Sequence, residues 1–159
     1  DGAELSEMTQ AAHEQMLASI LESKQKDPSY VPITLPTVPQ IRMTRRIDGI
    51  YTMDDTEMFK EFPDAVGMFS DWRKRGPVYQ LPFGTLYGKK VKNLICAGRN
   101  ISVTDAMWDI TRVIPVCAVS GEAAGRAAAM TDDFAAFAAS DLGKLQEKLP
   151  IGTFPPQNG

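Results

Sequence analysis

Residues 93–130 read NLICAGRNISVTDAMWDITRVIPVCAVSGEAAGRAAAM, and the order of residue types along them decides the fold class. The apolar run 93–97, closed by Gly98, reads as a short buried strand. A loop follows, with helical tendency over 104–111. Pro115 suits the first turn of a helix running to Met130, because an amide hydrogen has no partner there anyway. Within that helix Ala118, Gly121, Ala124, Gly125 and Ala128 are all small. A glycine inside a helix costs about 1 kcal/mol against alanine, so two of them four apart need an offsetting gain. Two gains are open: tight helix-on-sheet packing, or close approach of a flat ligand or another backbone. Glu122 and Arg126 exclude the membrane version of this spacing. The amides after Arg112 form a partial positive pole, suited to a phosphate or the electron-rich edge of a ring. A glycine at the strand end, Ala97-Gly98-Arg99, lets a ligand pass close to backbone. Strand end and helix start together point to one elongated, polar-edged ligand.

Upstream, VYQLPFGTLYG (78–88) alternates through Tyr79, Leu81 and Phe83, with Pro82 marking an edge or a strand end. A strand is read over 77–82 and another over AVGMFS, 65–70. Asp54 or Asp55 can cap a short helix through Phe62, which Pro63 ends. Residues 41–51 show period two, with Ile41, Met43 and Ile47 on one parity and Arg42, Thr44 and Arg46 on the other. They read as a strand or hairpin arm turning at Asp48-Gly49. Arg42, Arg45 and Arg46 make a local positive cluster, which is either a solvated strand face or an anion site for carboxylate or phosphate. Four prolines, Pro28, Pro32, Pro36 and Pro39, make the preceding segment an extended strap. Before it, Leu5, Met8, Ala12, Met16 and Ile20 recur at helical spacing and predict a helix over 4–24. His13 falls on its polar flank and has no catalytic role. A last helix is read over 141–149, capped by Ser140, with a tail after it. Helices are expected over 4–24, 115–130 and 141–149, and the expected fold class is α/β or α+β.

The 17 Lys and Arg against 20 Asp and Glu give a net charge of -3, which speaks against a nucleic-acid or anionic-membrane partner. No apolar run is long enough to span a bilayer. Cys96 and Cys117 lie in apolar surroundings without metal-type or CxxC spacing, and with a single histidine no metal site is expected. Two reduced thiols make the cytoplasm the default compartment. The first residue is Asp1 rather than Met, so the chain is read as processed or as a piece of something longer.

The segment YQLPFGTLYGKKVKNLICAGRNISVTDAMWDITRVIPVCAVSGEAAGRAAAM resembles the C-terminal part of FAD-dependent oxidoreductases of the glutathione-reductase-like superfamily. The resemblance rests on the motifs Y-x-I-P-x-R-x-L, N-L-x-x-A-G-R-x-I-S, R-V-x-P-x-C and G-x-A-A-G-x-A-A-A, in that order. IRMTRRIDGIYTM looks like the arginine strand of the same group, so the match spans roughly residues 39–150. It implies that Ala97, Gly98 and Arg99 meet the ribityl and pyrophosphate region of FAD, with Ile101 and Ser102 continuing that loop. It implies that Arg112, Val113 and Ile114 lead into a helix whose amides face the pyrimidine edge of the flavin. Gly121 and Gly125 correspond to glycines packing that helix on the nucleotide-binding fold. Arg42, Arg45 and Arg46 correspond to an arginine strand on the substrate-domain side. Gly84, Met43, Trp108 and Asp109 depart from the family pattern.

No G-x-G-x-x-G occurs in the 159 residues, so the usual cradle for the ADP half of FAD is missing. The expectation is therefore a C-terminal fragment of a two-domain flavoprotein. Residues 1–92 would carry the helix, the strap and substrate-domain strands, and 93–159 the end of the FAD-binding domain. Its parent would oxidise or reduce a small organic substrate, while the fragment alone would bind no FAD and would self-associate in place of its missing N-terminal half. The rival reading is a non-enzymatic binding or assembly module derived from a flavoprotein C-terminus.

Overall fold

The computed structural model describes residues 2–36, 44–154 and 156, and the chain divides into two units, 1–41 and 42–159. In the first unit the apolar stripe forms helix α1, Gly2–Lys26. It ends where the Asp27 carboxylate accepts hydrogen bonds from the Ser29 amide (2.9 Å) and hydroxyl (2.6 Å), ahead of the proline strap. The strap has no regular structure as far as Pro36. Residues 37–43, including Arg42 and the start of the expected strand 41–51, lie outside the described residues.

In the second unit, strands β1 (Ala65–Ser70) and β2 (Val78–Pro82) pair antiparallel, as their alternation predicts. Phe69 faces Tyr79 and Met68 faces Gln80, with a bulge between Ala65 and Met68. Gly67 sits in that bulge, where a Cβ would come 2.2 Å from Cγ1 of Val119. The missing side chain is what lets helix α3, Ile114–Ala128, cross the sheet there. Helices α2 (Asp105–Thr111), α4 (Phe134–Ser140) and α5 (Leu142–Gln146) complete the unit. Tyr79, Leu81, Phe83, Leu86, Ile101, Met107, Ile110 and Leu145 are fully buried at the centre of its core. The result is a small mixed domain of helices and a two-stranded sheet, in keeping with the α/β (α+β) expectation.

Four expected elements differ. Residues 93–97 form no strand: Ile95 makes one bridge to Tyr87, and the Cys96 amide donates to the Leu86 carbonyl at 2.7 Å. The neighbouring chain turns through a 3-10 segment, Phe83–Thr85, and offers no ladder to pair with. Residues 44–51 are likewise not a strand. Their amides go alternately to two neighbours, Ile47 to Asn100 on one side and Ile50 to Tyr87 on the other. Asp48-Gly49 is no hairpin turn but a close crossing, since a Cβ on Gly49 would stand 2.6 Å from that of Ser102. The short helix expected from Asp54 to Phe62 is absent. The Asp54 carboxylate instead closes a local turn on Thr56, and Phe59 adopts a left-handed φ of 58° that no helix accommodates. Finally, the expected helix 141–149 is the shorter α5, and α4 precedes it. Asp133 caps α4 by accepting from the Ala136 amide, while Ser140 is its last residue and bonds back to the Ala136 carbonyl.

Candidate functional site

Gly98 opens a 3-10 turn, Gly98–Asn100, with φ at +79°, a conformation that glycine adopts without cost. Its amide donates to the Ser120 hydroxyl at 2.9 Å, and that hydroxyl donates to the Val116 carbonyl at 2.9 Å. The buried Ser120 thereby pins the turn to the second turn of α3. At the start of α3, Val113 is extended, its side chain caps nothing, and proline lies in the first turn. Ile114 is 86% exposed beside these leading amides. The Gly98-Arg99 turn thus meets, at one open corner, the two-residue link Arg112-Val113 between α2 and α3 and the first residue of α3, Ile114.

The corner is braced by groups that sequence reading did not connect. Arg112 ends α2, and its guanidinium carbon lies 5.3 Å from the centre of the Trp108 ring and 5.9 Å from that of Trp72. Its Nε donates to Asp109 at 2.9 Å, so this guanidinium is already engaged by protein. Hydrogen bonding from Arg112, and next from Arg73, holds the Asp109 carboxyl below its ordinary range. Arg73 also grips Asp71 through two bonds of 2.9 Å, and Asp71 is buried. Trp72 and Arg73 lie in the β1–β2 connection, far from Asp109 in sequence, and only tertiary structure brings them in.

Ile101 and Ser102 are fully buried, so their side chains face the core rather than the corner. The Ser102 hydroxyl accepts from the Gly49 amide at 3.2 Å and from Arg46 at 3.4 Å, and lies 2.9 Å from the Thr52 hydroxyl. Arg45 and Arg46 are exposed. Gly121 and Gly125 meet nothing within 4 Å of a built Cβ, so they lie on the open face of α3. The face that packs carries Val116, Ser120, Ala123, Ala124 and Ala127.

A second polar cluster joins Tyr51, Glu57 and Lys60. The Tyr51 hydroxyl donates to Glu57, and Lys60 donates to both. Burial, then Glu57, pushes the Tyr51 phenol up, which keeps it protonated. Burial opposes ionisation of Glu57, but Lys60 and Tyr51 overcome it and leave its carboxyl lowered. Cys96 and Cys117 are free thiols, both half-buried. Among the described residues no group of acidic, histidine or cysteine side chains is placed to hold a metal ion, and no helix is long and apolar enough to cross a membrane.

A family model described as FAD dependent oxidoreductase matches residues 1–149. The match takes in α1 and the strap as well as the motifs of the C-terminal half. No curated protein matches the chain. No solved structure matches it.

Proposed function

The chain belongs to the family of FAD-dependent oxidoreductases, and on that premise we propose that it is the C-terminal portion of a flavin-dependent oxidoreductase of the glutathione-reductase-like superfamily, acting on a small organic substrate. The observation that carries this reading is the open corner where the Gly98 turn meets the uncapped start of α3. A flavin edge fits it. The leading amides carry no side-chain cap, and the exposed Ile114 offers an apolar surface beside them. The backbone of Gly98 and Arg99 and the amides following Val113 would hold the cofactor. When bound, the flavin supplies hydride or electron transfer. The protein's part is to orient the ring and to place the positive end of α3 against its polar edge.

In this proposal residues 93–159 complete the FAD-binding domain and residues 1–92 belong to the substrate side, where Arg45 and Arg46 offer charge for an anionic group. The cradle for the ADP half comes from residues outside this sequence, because no G-x-G-x-x-G occurs within it. Two free thiols favour a reducing compartment such as the cytoplasm. The outward-facing Gly121 and Gly125 favour a second reading, in which the chain is an assembly module reusing a flavoprotein C-terminus.

The two readings separate in a protein that joins these residues to a strand–G-x-G-x-x-G–helix unit. Flavin absorbance that survives desalting is the expected result. A colourless protein after incubation with FAD would reject the flavin reading and leave the module.

A further inference from the structure

We propose that Asp109 is a positioning residue that fixes the flavin-facing corner by clamping Arg112 to the β1–β2 connection. The proposal rests on the flavin reading only for what the corner faces; the clamp itself stands on geometry. Each carboxylate oxygen of Asp109 takes one arginine: Oδ2 accepts from Arg73 Nη1 at 3.1 Å and Oδ1 from Arg112 Nε at 2.9 Å. Arg73 is immobilised in turn by its paired bonds to the buried Asp71. An isolated surface ion pair contributes little. Here, however, the chain of charges ends on a buried carboxylate, and Arg112 is flanked by two indole rings.

Both arms of the corner depend on this arrangement. The main chain of Arg112 is the link between α2 and α3, and its carbonyl faces the Cys117 thiol at 3.9 Å. Holding the Arg112 side chain therefore holds the direction in which α3 starts. The Trp108 ring that lies against Arg112 donates from Nε1 to the Arg99 carbonyl at 3.2 Å, inside the Gly98 turn. The Trp72 indole donates to the main-chain carbonyl of Asp109 at 2.9 Å, a bond that does not use the carboxylate. Removing the charge should thus leave the β1–β2 connection docked while freeing Arg112.

Trp72 and Trp108 are the only tryptophans in the sequence, so tryptophan emission excited away from the tyrosines reports on the two rings of the clamp. The experiment compares wild type, Asp109→Asn and Arg73→Gln by tryptophan emission and by hydrogen exchange resolved along the chain, and compares FAD retention by the same three sequences joined to a strand–G-x-G-x-x-G–helix unit. Asp109→Asn should shift the emission and speed exchange several-fold at 98–100 and 113–117, with β1 and β2 unchanged. Arg73→Gln should do the same more weakly. FAD retention by the joined protein should fall most in Asp109→Asn and less in Arg73→Gln. Unchanged exchange at those segments would overturn the clamp, as would uniform acceleration along the chain, which would make Asp109 a general stability residue. Localised acceleration without any loss of FAD from the joined variants would overturn the corner's assignment to flavin and leave the clamp standing.

Discussion

At the scale of the residue, the clearest consequence is electrostatic. Asp109 has its carboxyl pulled below the ordinary aspartate value of 3.8, first by Arg112, and Asp71 is lowered first by Arg73. A carboxylate depressed in the folded state stabilises it above the unfolded value, and that contribution is lost as pH falls through the folded value. An acid titration followed by tryptophan emission should therefore be flat from neutrality down past 3.8 and bend only below it. In Asp109→Asn the remaining bend should be smaller. A transition near pH 6 would place control in some other group. Single residues also mark how far the sequence could be read. Gly98 was legible as the point where the apolar run stops, but its left-handed φ of +79° was not, because an apolar run closed by glycine predicts the end of a strand, and no strand forms there. The pairing of Arg73 with Asp109 was not legible. Arg73 and Asp109 are separated by 36 positions, and no local pattern encodes that meeting.

At the scale of the element, periodicity served helices better than strands. α1 and α3 lie where their apolar and small-residue patterns put them, because a helix satisfies its own backbone. Period two over 41–51 and the apolar run 93–97 report extended backbone but not a neighbour to pair with, and both segments bridge at isolated points instead. α4 escaped notice although Asp133, Phe134 and Phe137 carry its cap and its buried face. The contact that most depends on one residue is the crossing of α3 over β1. A methyl group at position 67 would stand 2.2 Å from Cγ1 of Val119, a β-branched side chain with little freedom to withdraw. Gly67→Ala should lose about 1–3 kcal/mol, the usual cost of overpacking. Thermal unfolding by circular dichroism would show a lowered midpoint, and Gly67→Ala combined with Val119→Ala should recover part of it. A midpoint equal to wild type would mean that α3 does not cross the sheet this closely.

At the scale of the whole molecule, the open face of α3 is the surface through which self-association is expected. Ala118, Gly121, Gly125 and Ala128 are exposed along it, and Ile114 extends the face at its start. Burying apolar surface contributes about 25 cal/mol per Å², and glycines at this spacing let two backbones approach closely. When nothing else covers the face, a second copy can, through a two-fold interface in which the same residues meet. The purified chain should therefore show a dimer mass by light scattering, with dissociation on dilution. Gly121→Glu is the decisive variant. It places a charge in the middle of the face, where a built Cβ meets nothing within 4 Å of the same chain. Glutamate is also a better helix former than glycine, by up to about 1 kcal/mol, so a change of mass could not be ascribed to loss of the helix. Gly121→Glu should run as a monomer with unchanged helical content. If it remains dimeric, the contact lies elsewhere; if wild type is monomeric at every concentration tested, this face of α3 does not drive self-association.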